Sequence, residues 1–299
     1  MPDPAHGQPA PSGPQAQKFL FVAAVLTLCW AAMLWRFFRF AAGDELYSFI
    51  PLMPFVCAYM AWMSKAEFPA RSAPACQAGA GFIAAAAAAT AGYWLLARAP
   101  VSSSVEALFA AGVLAWLLYL AGAGCVFLGG AAMRHLAFPF CLLLFMVPFP
   151  AVVREHIEAA LQQGSALATD WMFFLSGTPY MRSGLEFRLP DITLQVAPEC
   201  SGIHSTWILL ITSLVAGQMI LRRPGSRIAL CMVVIPLALL RNGFRVFVIG
   251  ELCVHIGPRM IDSPIHHHGG PLFFALSLIP FFLLLWYLRK RETARPVKP

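Results

Sequence analysis

Charged side chains are scarce in this chain: Asp, Glu, Lys and Arg make up 12% of its 299 residues, against about 25% in an ordinary soluble domain. That shortage, with 59% hydrophobic residues, excludes a soluble globular protein and requires most of the chain to lie in lipid. Acidic residues are the rarer sign, 14 against 21 basic. The resulting net charge of +7 reads as the cytoplasmic loops of a membrane protein, not as a nucleic-acid surface. No basic segment, apolar stretch and small-residue cleavage site follow one another at the start, so no cleavable signal peptide is expected. Polar surroundings for cysteine are equally rare. Seven of the eight cysteines lie in or beside apolar segments, where a thiol is usually inert packing.

What is abundant is apolar sequence of spanning length, given that about 20 residues cross the hydrocarbon core. Eight such stretches stand out: 19–35, 46–63, 78–97, 105–128, 136–153, 206–221, 228–248 and 271–288. The expected fold is all-α, a polytopic membrane bundle of about eight transmembrane helices forming one membrane domain over 19–288. A disordered cytoplasmic tail over 1–18, rich in Pro, Gly, Ala and Gln, is expected before it, and a basic cytoplasmic tail over 289–299 after it. Orientation follows the basic residues. Arg289, Lys290, Arg291, Arg295 and Lys298 place the C-terminus in the cytoplasm, and Arg222, Arg223 and Arg227, two spans earlier, fall on the same side. Arg134, Lys65 with Arg71, and Lys18 then fall inside too, whereas Arg36, Arg39 and Arg98 run against the rule. Both termini are expected inside, with the chain in the cytoplasmic (inner) membrane.

This topology gathers three polar clusters on the extracytoplasmic side. The first is Cys200, in the run Ala197-Pro198-Glu199-Cys200-Ser201-Gly202-Ile203-His204-Ser205, where a polar stretch meets a helix start. A helix N-terminus favours negative charge and can raise the thiolate fraction. The second is Arg241-Asn242-Gly243-Phe244-Arg245, and the third is His266-His267-His268. Together they have the parts for acyl transfer. Thiolate is the nucleophile, imidazole takes and returns a proton, and a guanidinium stabilises the oxyanion. Blander readings compete with each. An arginine at a span end ordinarily snorkels to headgroups, which is the default for Arg241. Arg245 has apolar sequence on both sides, and a cation within a span is functional by default. Three consecutive histidines, helped by His255 or Cys253, can bind a metal, although adjacent helical residues diverge by about 100° and a built site would prefer i, i+4 spacing.

Residues 154–199 are too long for a turn and too polar for a span. Ile157, Ala160, Leu161 and Ala168 suit an amphipathic helix at the interface, running on to Trp171, Met172 and Phe173. Leu185, Phe187 and Leu189, then Ile192, Leu194 and Val196, alternate with polar residues around Pro190-Asp191, which predicts a short β-hairpin leading into Cys200. A small extracytoplasmic insertion of helix and hairpin therefore precedes the cysteine, as a brace or as a platform for substrate.

In their order these motifs resemble the exosortase/archaeosortase family of membrane cysteine transpeptidases. Phe138-Pro139 and Met146-Val147-Pro148-Phe149-Pro150 resemble its proline-marked span. Val196 to Ile203 resembles its nucleophile box, and Asn242-Gly243-Phe244-Arg245-Val246 its Asn-x-x-Arg element. His266 with Gly270 and Phe274 resembles its His-x-x-x-Gly-x-x-x-Phe element; a register built on Gly269 would put Ile265 in the histidine slot. The similarity covers about 134–288, and the earlier spans match only in being apolar. The resemblance implies Cys200 as nucleophile with Arg245 and His266 as essential partners, and no metal or other cofactor. Arg241, Asn242, His267 and Glu199 are secondary candidates. It implies as substrates secreted proteins bearing a C-terminal motif, a transmembrane helix and a basic tail, with transfer to an unidentified acceptor, lipid- or glycan-linked acceptors included. Membrane lipids are the other expected partners, and nucleic acid is not. Two other readings stay open: a multi-pass transporter or assembly scaffold, and a metal-dependent membrane hydrolase using His266 to His268.

Overall fold

The computed structural model of the chain describes residues 13–64, 68–69, 72–98, 105–190, 192–196, 202–263 and 269–294. It is a polytopic helical bundle with one small sheet, dividing into two compact units, Met1–Val153 and Arg154–Pro299. Among the described residues, five helices are long and apolar enough to cross a bilayer, and two bent helix pairs raise the number to seven. Eight apolar stretches therefore do not make eight uniform spans.

The first unit contains α1 (Pro14–Cys29), α2 (Ala31–Gly43), α3 (Met53–Met63), α4 (Cys76–Arg98), α5 (Val105–Phe127), α6 (Gly130–His135) and α7 (Ala137–Leu143). Residues of the expected N-terminal tail from Pro14 onward are already helical. The run 19–35 is not one straight helix, because Trp30 leaves helical geometry and the chain bends by 71° there. No proline or glycine sits at this bend; the Trp30 ring packs edge-on to Tyr93 of α4. The run 46–63 yields only a short apolar helix over Ile50–Met63, about 20 Å long against a hydrocarbon core of about 30 Å. In the run 136–153, α7 ends at Leu143, and Val147 is extended ahead of Pro148, as a residue before proline prefers. Helix α5 is the centre of the unit. It meets α4 where glycine faces glycine: a Cβ on Gly122 would lie 3.2 Å from the Gly79 carbonyl oxygen. Lipid gives helices no hydrophobic reason to associate, so such close backbone approach supplies the attraction.

In the second unit, α8 (Ala151–Ser176) leads to strands β1 (Met181–Ser183), β2 (Glu186–Arg188) and β3 (Thr193–Gln195). Three helices follow: α9 (Ile203–Ile220), α10 (Pro224–His255) and α11 (Gly270–Ala294). The alternating residues fall as expected on β2 and β3, which pair antiparallel with Phe187 opposite Leu194. The β2–β3 pair is the expected hairpin, and β1 extends it to a three-stranded sheet by adding to β2 across the turn at Gly184, whose φ is +64°. Phe187 and Leu194 face inward onto Phe173 of α8 and Val246, Ile249 and Cys253 of α10. Each such burial contributes roughly 1.5–3 kcal/mol where the alternative is water.

Helix α10 organises this unit. Its 32 residues extend about 48 Å at 1.5 Å per residue. That exceeds a hydrocarbon core, and its last turns lie against the sheet. Ile228, Met232, Ile235 and Leu240 point outward and are exposed, as lipid-facing residues are. On the packed side, Gly243 meets α8 so closely that a Cβ would fall 2.6 Å from Ala168 Cβ and 3.0 Å from the Ser165 carbonyl oxygen. The Thr169 hydroxyl donates to the Ser165 carbonyl (2.9 Å) and across the crossing to the Gly243 carbonyl (3.2 Å).

Cysteine burial divides the chain's thiols. Cys57, Cys125 and Cys253 are buried and free, as packing residues should be, whereas Cys29 and Cys141, also expected to pack, are exposed. Cys253 lies beneath the sheet and is fully buried.

Gly243→Ala is expected to destabilise the protein by about 1–3 kcal/mol through overpacking against the α8 backbone. Gly225→Ala, at a glycine with open space around it, is the control. Thermal unfolding of the two variants in detergent checks this, and equal midpoints would contradict the crossing.

Candidate active site

Three elements of the second unit converge on residues 241–245 of α10. Arg241 and Asn242 are buried at 7% and 5% exposure, unusual for such polar residues. The Arg241 Nε and Nη2 groups both donate to Asn242 Oδ1, at 3.2 and 3.0 Å. Nη2 also donates to the carbonyl oxygen of Gly202, at 3.4 Å.

Gly202 is the N-cap of α9 and adopts φ +65°, ψ 23°. Two requirements make it glycine. The left-handed conformation penalises any Cβ, and a Cβ there would lie 2.4 Å from both Oδ1 and Nδ2 of Asn242. Its carbonyl also accepts from the Thr206 amide (2.9 Å) and from the Ser205 and Thr206 hydroxyls (3.0 and 2.8 Å). The turn that closes the Cys-Ser-Gly sequence is thus seated on the Asn242 side chain.

The third element is the start of α11. Its first turn closes with the Phe273 amide donating to the Gly269 carbonyl (3.0 Å). Phe273 then meets Phe244 edge-to-face, with centroids 6.0 Å apart. Phe274, the aromatic of the histidine element, packs against the α9–α10–α11 core.

Arg245 is half-buried, one turn beyond Arg241. An i, i+4 pair shares a helix face, so the Arg245 guanidinium lies near that of Arg241, which itself reaches the Gly202 turn. Like charges so placed repel, and an anion between or beside them relieves the cost. Among the described residues, the buried Arg241 Nη1 has no hydrogen-bond partner. His204 sits in the first turn of α9 and is half-buried. Glu199, Cys200, His266, His267 and His268 lie outside the described residues.

With this geometry established, the family comparison is decisive. Residues 35–283 match the transmembrane exosortase family (Exosortase_EpsH). The chain belongs to the transmembrane exosortase family. The match begins well before residue 134, so the exosortase region includes α3 to α5 and most of α2, which motif similarity alone did not reach. The family is one of cysteine-type transpeptidases acting on secreted proteins with C-terminal sorting signals, and this exosortase is a multi-pass membrane protein. No curated protein and no solved structure matches the chain.

Two features of this exosortase, one at the site and one beside it on α10, escape sequence reasoning. Gly202 stands inside the Val196–Ile203 motif, but its contact with Asn242 joins residues 40 positions apart and leaves no periodic signal. Glu251, near the end of α10, accepts from Ser176 (3.1 Å) and from the Thr178 hydroxyl, and its other oxygen faces His255 Nε2 at 3.0 Å. His255, weighed as a helper to a metal site, pairs with Glu251, and Glu251 ties α10 to the segment leaving α8.

The exosortase variant Gly202→Ala is expected to lose at least about 1 kcal/mol from the left-handed conformation alone, with the Asn242 clash in addition. Activity should fall further than stability, because the turn carries the cysteine segment. Melting and processing measured on one preparation check this, and a variant that melts lower yet processes normally would contradict it.

Proposed function

We propose that this protein is a cysteine transpeptidase that cleaves the C-terminal sorting signal of secreted proteins and passes the acyl group to an acceptor. Cys200 is the nucleophile, His266 the acid–base and Arg245 the oxyanion partner. One observation carries this reading: the Gly202 turn and the first turn of α11 both rest on residues 241–245. Cys200 precedes Gly202 by two residues, a tether of at most about 7 Å, and His266 precedes Gly270 by four, at most about 14 Å.

The chemistry then runs in two halves. The Cys200 thiolate attacks the scissile carbonyl carbon, and Arg245 stabilises the oxyanion as charge develops. The C–N bond breaks, the protonated His266 gives its proton to the departing amine, and a thioester remains on Cys200. The acceptor nucleophile attacks that thioester, its proton passes to His266, and the Cys200 thiolate leaves. Arg241 is a positioning residue: its fork holds Asn242 and the Gly202 turn together, and its cation favours the thiolate over the thiol.

Membrane placement fits the substrate. From Arg227 to Arg245, α10 rises about 27 Å, close to one hydrocarbon thickness. The site therefore opens at the face opposite Arg222, Arg223 and Arg227, which the basic-residue rule makes the extracytoplasmic face of the inner membrane. A substrate helix anchored in the same bilayer brings its scissile bond to that level, and tethering raises its effective concentration.

Cys200→Ala is expected to abolish processing of a tagged sorting-signal substrate, while the wild type forms a trappable covalent adduct at Cys200. Processing that survives Cys200→Ala sinks the proposal. Arg241→Lys keeps the charge but loses the fork, and should slow processing about 10- to 100-fold, with normal membrane insertion and melting as the controls. Wild-type turnover in that variant would remove Arg241 from the positioning role.

A further inference from the structure

At the end of α10 away from Arg245, Glu292 of α11 reaches the segment between α9 and α10. Its Oε2 accepts the backbone N–H of Arg222 (2.8 Å) and its Oε1 that of Arg223 (3.0 Å). Arg223 is the N-cap of α10 and makes no side-chain cap of its own. The carboxylate therefore supplies the missing cap from another helix.

Two cavities flank this carboxylate. One, of ≈ 430 Å³, is lined by Gln218, Arg222, Arg227, Arg289 and Thr293 together with Glu292. The other, of ≈ 300 Å³, is lined by Arg223, Ser226 and Arg291 and shares Glu292. Arg227 is committed to the scaffold: Nε donates to the Leu221 carbonyl (2.9 Å) and Nη1 to the Gln218 side chain. Arg222 and Arg289 are exposed. Glu292 carries one negative charge among the five arginines that line the two cavities.

Depth in the membrane can be read from α11. Phe282 and Leu283 are exposed apolar residues, and one turn further Trp286 and Tyr287 are exposed aromatics. Lys290 Nζ lies over the Trp286 ring, 5.1 Å from its centroid. Apolar residues followed by Trp, Tyr and then cations mark the passage from hydrocarbon to headgroups. The two cavities open at headgroup level. Guanidinium groups there match phosphate oxygens in geometry as well as charge, and basic pockets between transmembrane helices suit lipid phosphates.

We propose that these paired cavities bind the headgroup of an anionic phospholipid, with phosphate oxygens on Arg222 and Arg289, and that two adjacent basic cavities favour a lipid carrying two phosphates. The site is separate from the cysteine chemistry and does not depend on it. Native mass spectrometry of the full chain in detergent, titrated with tetraoleoyl cardiolipin, dioleoyl phosphatidylglycerol or dioleoyl phosphatidylcholine, tests it. The expected order is cardiolipin, then phosphatidylglycerol, then phosphatidylcholine. Arg222→Gln with Arg289→Gln should weaken cardiolipin about 30-fold, whereas Arg295→Gln with Lys298→Gln in the tail should not. Arg222→Lys with Arg289→Lys, which keeps the charge, should fall between, and it serves as the readout should the glutamine pair fail to fold. Equal loss in the tail variant, or equal binding of phosphatidylcholine, would overturn the site. Phosphatidylglycerol binding as tightly as cardiolipin would overturn the two-phosphate preference. Displacement of cardiolipin by millimolar inorganic phosphate would overturn the lipid in favour of a soluble phosphate.

Discussion

Five consecutive residues of α10, 241–245, must satisfy three neighbours at once, and the second unit is built around that demand. Gly243 lets α8 approach to backbone contact, Asn242 receives the Gly202 turn, and Phe244 receives the first turn of α11. A helix turn presents its residues about 100° apart, so three successive positions can face three different partners. The cost is two buried polar side chains in an apolar helix. It is offset locally, because Arg241 donates twice to Asn242 and once to the Gly202 carbonyl.

Different forces hold the two ends of this helix. Within the bilayer, where apolar contact with lipid is as good as apolar contact with protein, close approach at glycine and the shared Thr169 hydrogen bond do the joining. Beyond the bilayer the sheet can use burial from water, and it places Phe187 and Leu194 on Phe173 and Ile249. At the other end, one carboxylate, Glu292, caps α10 from α11 among arginines. The same helix thus links the Gly202 turn near one end to a basic rim at the other.

Much of this was legible in the sequence for identifiable reasons. Apolar composition requires a membrane, and the alternation around Phe187 and Leu194 predicted β2 and β3. The order of the cysteine, arginine and histidine elements pointed to the exosortase family. Other features had no signal. β1 is Met181-Arg182-Ser183, largely exposed and joined to β2 by backbone bonds, so its side chains carry no alternation. The bend at Trp30 occurs without proline or glycine, and hydropathy averages across it. Cys29 and Cys141 lie in apolar runs but face outward, because an apolar run does not say which face is packed against protein.

By itself, the sequence determined the solvent in which this protein lives and the chemical groups it can bring to a reaction, since both depend on residue type and order along the chain. Only the tertiary structure decided that Gly202 sits on Asn242, that Arg241 is committed to holding that turn, and that Glu292 caps a helix between two basic cavities. Those are contacts between residues far apart in the chain. They rest on close approach, hydrogen-bond geometry and burial, which arise only when the helices pack.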